Sequence, residues 1–69
     1  GNMRTKLITA DRDSLDKAEK DIMRLADIHK GEIISTSITV YPNEFVFAGV
    51  HGNILSHSYV IVAVIRLPD

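Results

Sequence analysis

Residues 58–67, SYVIVAVIRL, constrain the fold of this chain more than any other stretch. A half-buried strand alternates apolar and polar side chains, because successive residues point to opposite faces. This segment is apolar on both faces. Tyr59, Ile61, Ala63, Ile65 and Leu67 form one row, and Val60, Val62 and Val64 form the other, which Arg66 interrupts. Such a strand asks for cover on two sides, in a chain of only 69 residues.

The size sharpens the problem. A domain this small buries only about 60% of its unfolded surface and is marginal alone. Small domains commonly gain stability from disulfides, a metal or a partner. The chain has no cysteine, so disulfides are excluded, and a reducing, cytoplasmic location is expected. Apolar residues make up 45% and charged residues 25%, the values of an ordinary globular domain. A net charge of −1 offers no global field to nucleic acid or to an anionic membrane, and neither is expected as a partner. The longest apolar run, Tyr59 to Ile65, falls well short of the roughly 20 residues of a membrane helix. No signal-peptide pattern is visible. Gly1-Asn2 before Met3 reads as an added or fragment edge, leaving a single domain over 3–69.

Residues 4–10, RTKLITA, predict a short strand, and DRD breaks it. Residues 14–29 predict a helix, with Leu15, Ala18, Ile22, Leu25, Ala26 and His29 in one stripe and charges opposite. Asp13 or Ser14 can cap its first turn, and Gly31 is the expected stop. Residues 32–41 are rich in β-branched side chains. Pro42 cannot donate to a ladder, so it marks a bulge, a bend or an edge. Strand character resumes at FVFAGV, 45–50. His51-Gly52-Asn53 has turn chemistry, which places the fold-back of a long hairpin at Gly52. Residues 54–67 form the last strand. The expected class is α+β, in the order β-α-β-β: a three-stranded antiparallel sheet, one helix on one face, and a long bent C-terminal hairpin.

One helix covers one face of a sheet. The other row of the last strand would then meet water as an apolar patch, which is unusual on a soluble monomer. A second copy of the chain is the economical cover, with sheets packed face to face or long hairpins paired at their edges, so a homo-oligomer is expected.

Residues with chemical potential do not converge in the sequence. His29, His51 and His57 are too dispersed for a zinc site within one chain, and no metal is expected. Asp11, Asp13 and Asp16 suit the start of a helix better than a calcium loop. GVHG at 49–52 matches a GxxG pattern but lies in a hairpin rather than between helices. In Ser56-His57-Ser58 the serines share one face and the histidine takes the other, so no relay forms within the tripeptide. No catalytic residue is assigned, and an enzyme is not expected.

The layout resembles the dodecins, small flavin-storing proteins. The resemblance rests on the β-α-β-β order, Ser14-Leu15-Asp16 at the helix start, Ile65-Arg66-Leu67 at the end of the last strand, and the spacing from Gly52 to Leu67. It covers most of the chain. It implies an oligomeric shell with pockets between subunits, where Tyr41, Phe45, Phe47 and Tyr59 could line a small-ligand site. The family stacks flavin on a Trp and holds it with a Gln. Here those places fall near Ser35 and Ser58, and the chain has neither Trp nor Gln. No cofactor is therefore assigned, and flavin binding is expected to be weak. The chain also resembles, in outline, small β-α-β-β proteins of unknown function, including short sporulation proteins of bacilli. The expected role is a non-catalytic, oligomer-forming structural or interaction domain, with a dodecin-like ligand module as the alternative.

Overall fold

A computed structural model describes residues 3–43, 46–47, 49–52 and 56–69. The elements run β1 (Arg4–Arg12), α1 (Leu15–Ile28), β2 (Glu32–Asn43), β3 (Val46–Phe47), β4 (Val50–His51) and β5 (Ser56–Leu67). The fold is α+β in the expected order. A three-stranded antiparallel sheet is ordered β1-β5-β2, so the doubly apolar strand is the central one. The short β3 and β4 pair with each other beyond the main sheet.

The helix begins where its cap allows. Ser14 is extended, and its side-chain oxygen accepts a hydrogen bond from the Lys17 amide at 3.2 Å, satisfying one of the free N–H groups of the first turn. Asp13 stays outside and receives the Lys17 ammonium at 3.1 Å. That contact holds its carboxyl below the ordinary carboxylate range.

The helix ends differently from the sequence expectation. His29 is the C-cap, and the left-handed position that follows is filled by Lys30, with φ of 53°. The Lys30 amide donates to the Asp27 carbonyl at 3.0 Å and the Gly31 amide to Ala26 at 2.8 Å, the paired bonds of a Schellman stop. Gly31 is required for another reason. A Cβ at this position would lie 2.6 Å from Cδ1 of Ile65, so the chain leaving the helix passes too close to the sheet for a side chain.

The register settles which row of β5 meets the helix. Ile8 faces Ala63 and Ala10 faces Ile61 across β1 and β5. These four join Ile65 and, from α1, Ala18, Ile22 and Ala26 in the buried core. Four of the eight are alanines, so helix and sheet approach closely. The covered row is therefore Tyr59, Ile61, Ala63, Ile65 and Leu67. At its end, Arg12 of β1 reaches Asp21 of α1 at 2.8 Å, and Arg24 reaches the same carboxylate at 2.9 Å. The Arg12 guanidinium, hydrogen-bonded to Asp21, is held above its ordinary value.

The hairpin also turns elsewhere than expected. Phe47 pairs with Val50, and Gly49 between them has φ of +80°, the conformation a tight hairpin turn demands. The chain thus reverses at Gly49, and Gly52 follows β4. Pro42 lies within β2, opposite His57. Since β2 is an edge strand, a residue without an N–H is tolerated there. The register shift in the β2–β5 ladder falls instead between Ile33 and Ser35.

Candidate interaction surface

The helix is shorter than the strands it covers. Fourteen residues of α-helix span about 21 Å, while the twelve of β5 span about 40 Å. The helix packs on β1 and β5. The consequence falls on β2. None of its twelve residues is buried, and Ile33, Ile34, Ile38, Val40 and Tyr41 are each between 40% and 53% exposed.

Two apolar surfaces follow. On the helix side, Ile33, Thr36 and Ile38 of β2 and Ile22 and Met23 of α1 line a groove of about 250 Å³, with the buried Ile61 beneath it. Glu19 supplies the charge among the lining residues. The groove lies below the roughly 300–1,000 Å³ usual for small-molecule pockets. On the opposite side, Val60 and Val64 are half-buried and Val62 is 36% exposed, with Leu7 beside Val64. This second row of β5 is open, and Leu7 of β1 and Tyr41 of β2 add to it on the same face. Thr5 and Thr9 of β1 and Ser35, Ser37 and Thr39 of β2 flank it with hydroxyls. Glu32 and Arg66, directly opposed on β2 and β5, close one end with an ion pair.

Of the four aromatic candidates, Tyr41 and Tyr59 do not converge. Tyr41 pairs with Ser58 and Tyr59 with Val40, which places the two rings on opposite faces of the sheet. Phe45 lies outside the described residues, as does the side chain of Phe47. Tyr59 instead neighbours His57 along the same face, with ring centroids 6.4 Å apart. On the other face Asn43 donates to the Ser58 hydroxyl at 2.9 Å and to Ser56 at 3.3 Å. The Ser-His-Ser tripeptide is thus divided between faces, as its alternation predicts. Among the described residues no three His, Asp or Glu side chains converge as metal ligands. No helix among them is long and apolar enough to cross a membrane.

Sequence reasoning did not single out Ile33, Ile34, Ile38 or Met23 as surface residues. The signal was present in the lack of charge from Ile33 to Asn43. It becomes readable only when strand order shows β2 to be an edge. No family model, curated protein or solved structure matches this chain.

Proposed function

We propose that this chain is a small non-catalytic domain that works by self-association, as a structural or interaction module. The reading rests on β2, a twelve-residue strand without one buried residue. The dimensions support it. The radius of gyration is 16.0 Å, against about 11 Å for a compact domain of this length. A domain that spreads its strands beyond its helix leaves apolar surface that a second molecule can cover.

Sedimentation equilibrium of the unmodified chain tests this. The expected result is a mass that is a multiple of 7.7 kDa and falls toward one chain only on dilution. A single chain at every concentration overturns the reading.

A further inference from the structure

We propose that two copies pair antiparallel through their β2 edges, on a two-fold axis passing through Ile38. The inference rests on the self-association reading and specifies its surface and register.

The two edges of the sheet differ in how they resist pairing. Edge strands are protected by charges, prolines and bulges. β1 carries Arg4, Lys6, Asp11 and Arg12 among its nine residues. Self-pairing centred on its middle residue, Ile8, would set Arg4 against Arg12, and like charges directly opposite are unfavourable. β2 carries no charge from Ile33 to Asn43. Its irregular points are the register shift at Ile33/Ser35 and the missing N–H of Pro42. They leave a regular window of residues 35–41, whose midpoint is Ile38.

That window fits itself. An axis through Ile38 sets Ser35 against Tyr41, Thr36 against Val40, Ser37 against Thr39, and Ile38 against its own copy. Thr36, Ile38, Thr39, Val40 and Tyr41 are β-branched or aromatic residues suited to strands, and no charge is buried. Moving the axis one residue either way brings the register shift or Pro42 into the ladder. An axis through a residue also keeps side chains on their own faces, so both helices lie on one side of a six-stranded sheet. The grooves between α1 and β2 then lie side by side across the axis.

The chain exposes 5171 Å², whereas a compact monomer of its mass exposes about 4,300 Å², so the elongated chain leaves surface for a partner to cover.

The absence of cysteine gives a clean test. Opposed residues of an antiparallel pair have Cα atoms about 4.5–5.5 Å apart, within the roughly 4.4–6.8 Å of disulfides. Ile38→Cys should therefore link to itself under mild oxidation, with most of the protein running as a covalent dimer without reductant. Thr36→Cys and Val40→Cys should each stay unlinked alone, since like residues would sit about 14 Å apart, but should link when mixed. The three side chains are exposed, so the substitutions spare the core. An oligomer in which Ile38→Cys does not link overturns the pairing and leaves self-association standing, as does an edge occupied by another protein. A monomer by sedimentation overturns both.

Discussion

The outer strands β1 and β2 share one partner, β5, yet they live in different surroundings. β1 has the helix over it, buries Ile8 and Ala10, and is ringed by charge. β2 is longer, lies beyond the helix, buries nothing, and carries charge only at Glu32. The sequences of the two strands do not foretell this. Both alternate, and the more apolar of the two is the one left uncovered. What divides them is the reach of one fourteen-residue helix whose alanines bring it down onto two strands rather than three.

The sharpest way to break this contrast is to put a lysine on each row of β5. Ala63 is fully buried under the helix, and an unpaired ammonium there costs several kcal/mol, about the whole stability of a domain this small. Ala63→Lys should therefore lose its helical circular-dichroism signal at 25 °C. Val62 lies on the open face, where strand preferences span only about 1 kcal/mol. Val62→Lys should keep its fold and its oligomeric mass. A Val62→Lys protein that folds but dissociates would move the interface from the β2 edge to the open face.

A smaller effect sharpens the boundary between the covered and uncovered halves. Gly31 is where the chain passes from α1 into β2, pressed against Ile65. Gly31→Ala forces a methyl into a space already occupied, which costs about 1–3 kcal/mol. Urea denaturation should show the midpoint falling with an unchanged slope. No loss would mean that β2 is free to move away from the core.

The smallest expected change lies one residue earlier and has the opposite sign. Lys30 holds a left-handed conformation that costs a side-chain-bearing residue about 1 kcal/mol. Lys30→Gly removes that cost, partly offset by the greater freedom of glycine when unfolded. A gain of up to about 0.5 kcal/mol in thermal or urea unfolding is expected, without change in oligomeric mass. A loss instead would show that the Lys30 side chain makes a contact worth more than the strain.

These residues also show what the sequence could and could not convey. The order of elements was legible because each carries its own signal: helical spacing from Ala18 to Ala26, alternation in β1 and β2, the Asp-Arg-Asp break before the helix and Gly31 after it. The row of β5 under the helix was not, because both rows are apolar and no local pattern distinguishes them. The decision comes from across the ladder, where Ile8 and Ala10 must be buried opposite Ala63 and Ile61. The fold-back is not legible because His51-Gly52-Asn53 has the stronger turn composition, whereas the Phe47–Val50 pairing puts the reversal at Gly49. The helix stop lies one residue before the glycine that composition favours, since Gly31 serves a close approach and Lys30 the left-handed site. The candidate surface was hidden because exposure of β2 depends on strand order, which a single chain's periodicity does not contain.

The central place of β5 has a consequence for how the molecule is made. β1 and β2 each pair with β5 and not with each other, and Arg4 meets Leu67 across nearly the full length of the chain. During synthesis β1, α1 and β2 all emerge before the strand that joins them. At about 5–20 residues per second, the ribosome needs roughly 1–5 s to pass from the end of β2 to the end of β5. Throughout that interval the uncharged segment 33–43 has no ladder to enter within its own chain. The β2 self-pairing proposed above would then compete with folding wherever two nascent copies meet before either has a core.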